Sequence, residues 1–496
     1  MKFKILTICS LSLTLLFSCN NYLKTELQGT YTSTSFYQTE EHAIFAINAT
    51  YEIIAFKTIN NNLWVFGDVA SDDALKGGNP GDQSDIGFID EFNITSDNGF
   101  IENIWKHYYE GITRANKVIY YVPNIAMDDV LKQRIIGEAK FLRAYFYFHL
   151  VNIFGEVPLK TQPSLTADDL HIAVSSVSDI YSQIEKDLSE ASVVLPKSYN
   201  AEIGRATKGA ALGLYAKALL FQEKWQASLD AIAEIEQLGY ALVPIYRENF
   251  NVDYENNIES VFEIQHLTGQ APFLGSNLNQ WFSPIIENGY FFNAPKQDFI
   301  DEFETTLSSV VDPRLDYTVG RDGEKWVNGE DFDPAWSPST GYLQRKHVQP
   351  LSEIGTGTKG DGDLNYTYMR YAEVLLIKAE ALNELNRVAE ALIPLNEVRK
   401  RARESYLVDA SLPGFGSIPL DLLPDVTLTA QNLLRDAIRH ERRVELGFEF
   451  HRFYDLMRYG ASVAEAALED TNFNYATHRY FPIPQSEVDT NKSINN

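Results

Sequence analysis

Aromatic rings set among polar side chains are the residues of this sequence best suited to specific chemistry. Trp64, Trp281, Trp326 and Trp336 fall in stretches dense in Gly, Asn and Asp, with Tyr290, Phe291 and Tyr342 close by. A flat ring offers a face on which the C–H surface of a sugar stacks, and neighbouring Asp, Asn and Arg side chains bond its hydroxyls. The adjacent pair Asp72-Asp73 supplies acceptors of that kind. A loop tryptophan can instead pin its loop to the rest of the fold, and that role is expected for at least half of the four. Trp105 and Trp225 sit on helical patterns and are assigned to the core.

Catalytic constellations are scarce. The chain has no Gly-x-Ser-x-Gly elbow, no Walker-type loop and no His-Glu-x-x-His. Its nine histidines are scattered, and His440 and His451 fall on helical patterns among charged residues. Asp361-Gly362-Asp363 with Asn365 resembles the start of a calcium turn, but no bidentate glutamate follows at loop spacing, so no metal or cofactor is expected. A glycosidase needs only two carboxylates, and 68 acidic residues always contain a pair, so a glycoside hydrolase stays open as an alternative. The charged block Arg439–Arg458 alternates Arg and Glu at helical spacing and reads as a lattice of ion pairs.

Charge narrows the partners. The chain carries −26, about −28 once Lys2 and Lys4 are removed, and such a surface repels nucleic acid and anionic headgroups but not neutral sugars. Lys2 and Lys4 precede an apolar run from Ile5 to Phe17, too short to span a bilayer, and Leu16-Phe17-Ser18-Cys19 has the shape of a bacterial lipobox. Residues 1–18 are therefore expected to be a lipoprotein signal peptide, with Cys19 the lipid attachment site. The other cysteine, Cys9, lies in the removed segment, so the mature chain has no thiol for a disulfide or zinc site.

The elements that position these residues are mainly helical. Residues 19–38 are polar and read as a tether. Helical periodicity starts at Glu40 and returns at Ile101–Val122, Val130–Phe154, Ser176–Leu195, Thr207–Phe221, Gln226–Leu238, Tyr366–Leu385, Val388–Arg403, Ala430–Leu446 and Glu449–Tyr459. Ser176 followed by Asp179 marks a helix start. The stretch from Asn60 to Gly99 and the middle, about 243–363, lose that periodicity, with a strand-like piece at Ser260–Gln265. A helical frame over about 39–240 and 364–460 thus carries a loop-rich insertion. Within the frame, Leu212–Ile235 aligns with Leu375–Val398 at a constant offset of 163: Leu212 with Leu375, Ala216 with Ala379, Leu229 with Leu392, Ile235 with Val398. Small residues in a first helix and a bulky one past the turn are the logic of tetratricopeptide pairs.

Several blocks, in order, resemble the SusD/RagB family of glycan-binding outer-membrane lipoproteins. They are Arg114-Ala115-Asn116, Gly137 to Phe148 running on to Gly155-Glu156-Val157-Pro158, Asp312-Pro313-Arg314-Leu315, Tyr368-Met369-Arg370-Tyr371-Ala372-Glu373, Glu441 to Glu449, and Phe453 to Gly460. The resemblance implies a single SusD-like domain over 39–496, mainly α, with tetratricopeptide-like helix pairs supporting an irregular region. It also implies a binding protein without chemistry. Such a protein captures oligosaccharide at the outer membrane, facing the exterior, and hands it to a SusC-type TonB-dependent transporter. The family places ligand-stacking aromatics in such loop regions without a motif that fixes their positions, so the candidate contacts are the loop rings Trp64, Trp281, Tyr290, Trp326, Trp336 and Tyr342, with Asp72 and Asp73, which resemble an acidic pair in the family's first loop. The family's exposed members carry acidic residues after the lipidated cysteine, where this chain has Asn20-Asn21. A scaffold whose helical repeats bind only protein is the third reading.

Overall fold

The computed structural model describes residues 36–354 and 360–494; the signal segment, Cys19 and nearly all of the tether lie outside these residues. The longer helices are α1 (Glu40–Tyr51), α2 (Gly99–Tyr121), α3 (Asp129–Phe154), α4 (Val177–Val194), α5 (Lys208–Leu220), α6 (Trp225–Ile235), α7 (Tyr371–Glu384), α8 (Val388–Val408), α9 (Gln431–Leu446) and α10 (Arg452–Tyr459). Their starts follow local chemistry. Asn98, Asp128, Ser176 and Thr207 each accept a hydrogen bond from a backbone N–H of the first helical turn. Helix α3 is buried on nearly all sides from Ile135 to Phe154 and forms the centre against which α2 and α4 pack.

The internal repeat holds at the level of backbone. Helices α5 and α7 begin 163 residues apart, as do α6 and α8. The turns between them place Glu223 (φ 58°) and Asn386 (φ 59°) in the left-handed region. They are closed by equivalent bonds, Lys224 N to Leu219 O at 3.0 Å and Arg387 N to Leu382 O at 2.8 Å. Helix α6 packs on α7, so the repeat joins the two helical zones into one frame with a shared apolar core.

One helical expectation is overturned. Residues Tyr366–Arg370 form a strand, β8, paired antiparallel with β4 (Ser260–Ile264), and helix starts only at Tyr371. All five residues of β8 are buried, so no polar face betrays its alternation, while Tyr and Thr favour extended backbone. The other ladders are short: β1 (Ala74–Gly77) with β5 (Phe292–Pro295), β2 (Val157–Pro158) with β3 (Val174–Ser175), and β6 (Val319–Gly320) with β7 (Leu343–Gln344).

The charged block of the sequence proves to be interior. Glu445 on α9 takes Arg370 and Arg401 at 2.5 Å each and Arg314 at 2.9 Å. Glu449 takes Lys346 at 2.7 Å and Arg370 at 2.9 Å, while Glu259 takes Arg370 at 2.8 Å and Arg401 at 2.9 Å. Arg314 also binds Asp312 and Glu441, and Arg399 binds Glu441. Five cations thus face five carboxylates, all nearly excluded from water, an arrangement that is costly unless complete. Burial opposes ionisation of Glu449, yet Arg370 and Lys346 hold it down to about 2. The Asp312–Leu315 turn, β8 and α9 are three of the family-like blocks, and their charged residues hold the insertion to the frame.

Candidate functional site

The insertion reaches the surface through a graded set of rings. Pairing of β1 with β5 brings the loop after β1 over Phe292, and Gly78 must be glycine there, since a Cβ would lie 2.4 Å from that ring. Trp64 is 1% exposed; it lies 5.7 Å from Trp281 and 6.2 Å from Phe292 between ring centroids. Trp281, 9% exposed, lies 5.8 Å from Tyr290, which is 39% exposed. Aromatic packing therefore runs outward from the core and ends in a ring that meets solvent. Tyr290 N donates to Gln280 O at 2.9 Å, fixing the backbone beneath that ring.

Polar and apolar neighbours frame this shelf. Ile285 and Ile286 are exposed in the turn that precedes Tyr290 in the chain. Across the β1 loop, the Lys76 ammonium lies 5.5 Å from the Phe292 centroid and donates to Asp82 O at 2.8 Å. Burial pushes the Lys76 ammonium down from its ordinary value. A second ring cluster, Trp326, Phe332 and Trp336, is tied to the same turn by Asn328 Nδ2 donating to Glu287 Oε1 at 2.6 Å. Trp336 and Tyr342 are half-buried, and the Tyr342 hydroxyl donates to Gln297 Oε1 at 2.8 Å.

Four expected contacts sit elsewhere. Trp64 and Trp326 are core residues, each 1% exposed, with no ring face open to a ligand. Asp72 binds Arg452 through two 2.7 Å bonds, and Asp73 binds Arg443 at 2.7 Å, so these carboxylates close a buried lattice instead of facing hydroxyls. Burial raises Asp73 above the usual carboxylate range, and Asp72 beside it adds to the shift; Asp72, although buried, is held low by Arg452 and Arg443. Next to them Gly67 packs so tightly that a Cβ would lie 2.3 Å from Phe450 O, and Asp68 accepts from Phe450 N. The calcium-like turn serves the backbone instead, since Asp361, Asp363 and Asn365 accept the N–H groups of Gly269, Thr268 and His266. Sequence reading missed Phe292 as part of the shelf; Asn288-Gly289, a turn signal directly before Tyr290, was the available clue.

Among the described residues no helix is long and apolar enough to cross a membrane, and no cluster of three or more His, Cys, Asp or Glu could hold a metal. Residues 258–496 match the SusD family model, and residues 24–220 match a model described as starch-binding proteins associating with the outer membrane. A SusD-like protein of Formosa agariphila is 27% identical over 96% of this chain and 94% of its own. The starch-binding protein SusD of Bacteroides thetaiotaomicron is 22% identical over 77% of this chain and 75% of its own. Among solved structures, a laminarin-binding SusD-like protein superposes with a TM-score of 0.76 at 28% identity, covering 92% of this chain and 99% of that one.

Proposed function

The chain belongs to the SusD/RagB family, and from that premise we propose that it is an oligosaccharide-binding lipoprotein of the outer membrane that passes glycan to a SusC-type TonB-dependent transporter. The observation that carries the reading is the run of rings from Trp64 through Trp281 to Tyr290, which places a rigidly backed aromatic face at the surface. For a sugar stacked on Tyr290, Trp336 and Tyr342 are the next contacts of a longer chain. Names of relatives support glycans as the class: starch for one, laminarin for another. In this reading Cys19 supplies the anchor, and residues 19–38 join it to the binding domain.

The proposed ligand contacts are Tyr290, Trp281, Trp336 and Tyr342. Electrophoresis in gels containing laminarin, starch or other glycans tests them: retardation of the wild type that vanishes in Tyr290→Ala is expected, and unaltered retardation sinks the assignment. Release of new reducing ends during incubation would replace binding by hydrolysis. Recovery of the transporter with the tagged protein from outer membranes, without any glycan affinity, would favour the protein-binding scaffold.

A further inference from the structure

A cavity of about 490 Å³, which shares no lining residue with the Tyr290 shelf, opens between the short helical turn at Tyr246–Phe250 and the segment 345–350. Its size is that of a small-ligand pocket. Its inner wall is rich in donors. Gln349 is 4% exposed, and its Oε1 accepts from Asp363 N at 2.7 Å and Leu364 N at 3.0 Å, which fixes the amide. The Gln349 Nε2 has no acceptor among the described residues, although it belongs to a buried side chain.

Arg345 lines the same cavity, and its Nη1 donates to Asp316 O at 2.5 Å. No carboxylate among the described residues lies within ion-pairing distance of it. The buried arginines Arg143, Arg314, Arg370, Arg399, Arg401 and Arg442 each have such a partner. Burial pushes the Arg345 guanidinium below its ordinary value. The nearest opposing charges, Asp316 and Glu324, are both paired with Arg321, so Arg345 has no carboxylate of its own in contact, and one brought by a ligand would supply it. The outer wall has the opposite character: Asp253 and Glu353 are exposed acceptors, suited to hydroxyl donors.

We propose that this cavity binds a uronic-acid sugar, with the carboxylate on Arg345 and Gln349 Nε2 and the ring hydroxyls on Asp253 and Glu353. A neutral sugar satisfies the outer wall and leaves Arg345 without a carboxylate in direct contact, whereas the planar guanidinium and amide together match a planar carboxylate. The site is independent of the shelf, so failure of neutral glycans to bind at Tyr290 leaves it standing.

Titration calorimetry with digalacturonate and with galactobiose tests the proposal. The acidic disaccharide is expected to bind at least about tenfold more tightly, the loss of one charge-assisted contact being of that order. Arg345→Met is expected to abolish the difference while a neutral glycan still binds at the shelf. Val327→Trp, which fills the cavity from a half-buried wall position, provides a second variant should Arg345→Met fail to fold. Equal affinities for the two disaccharides, full acidic-sugar affinity in either folded variant, or loss of that affinity in Tyr290→Ala would overturn it.

Discussion

Around Glu445 each charged side chain is met by another away from water, whereas around Tyr290 the rings become steadily more exposed from the core outward. Arg314, Arg370 and Arg401 reach Glu445 within 2.9 Å. Trp64, Trp281 and Tyr290 are 1%, 9% and 39% exposed in turn. Both regions draw on residue types that bind ligands in other proteins. The difference teaches that residue type is a poor guide to function, and that how far a side chain stays in reach of solvent after folding is a better one.

The comparison breaks most severely if the interior lattice is disturbed. Arg370→Met takes one cation from each of Glu259, Glu445 and Glu449 at once, and about 3–5 kcal/mol of stability should be lost, seen as a fall in the denaturant midpoint. Acid should do the same by another route. Glu449 is held to about 2 in the folded chain against an ordinary value of 4.5, so its contribution is present above pH 4.5 and disappears as pH falls toward 2. Thermal melts from pH 6 to pH 2 should record that decline, and Glu449→Gln should flatten it. Asp72→Asn weakens the two bonds to Arg452, and a cost of about 1–3 kcal/mol with unchanged glycan retardation is expected. Loss of retardation in a stable Asp72→Asn protein would move Asp72 back to the ligand.

Smaller effects sharpen the contrast from the other side. Tyr290→Ala should weaken glycan binding about tenfold, roughly 1.4 kcal/mol, while the unfolding midpoint moves by less than about 0.5 kcal/mol. The smallest effect belongs to the repeat. Glu223 holds a left-handed conformation that glycine adopts without strain, so Glu223→Gly should stabilise by up to about 1 kcal/mol, as should Asn386→Gly.

Much of the frame was legible because local chemistry and periodicity agree there. Ser176 and Thr207 mark true helix starts, and the offset of 163 survives as matched helices and matched turns. Strand β8 was not legible, since both of its faces are buried and its apolar residues continue the pattern of α7. The fate of Asp72 and Asp73 was equally hidden. Their partners, Arg443 and Arg452, stand about 370 and 380 residues away, and nothing local distinguishes a carboxylate awaiting a distant arginine from one awaiting a sugar. Tyr290 could be picked out by its turn and its neighbours, but its exposure depends on how β5 is laid against β1.

The contact of Asp68, Asp72 and Asp73 with the segment 443–452 also orders events in time. A chain that emerges from a ribosome or through a membrane N-terminus first presents these three carboxylates long before Arg443 and Arg452 arrive. Until then they have no reason to leave water, and Gly67 has no Phe450 backbone to lie against. Closing a loop of that length is slow, and a species waiting for it exposes apolar surface. The segment 443–452 therefore acts as the latch that completes the segment 67–73, and a nascent or truncated chain ending before Arg443 is predicted to remain an open, chaperone-dependent intermediate.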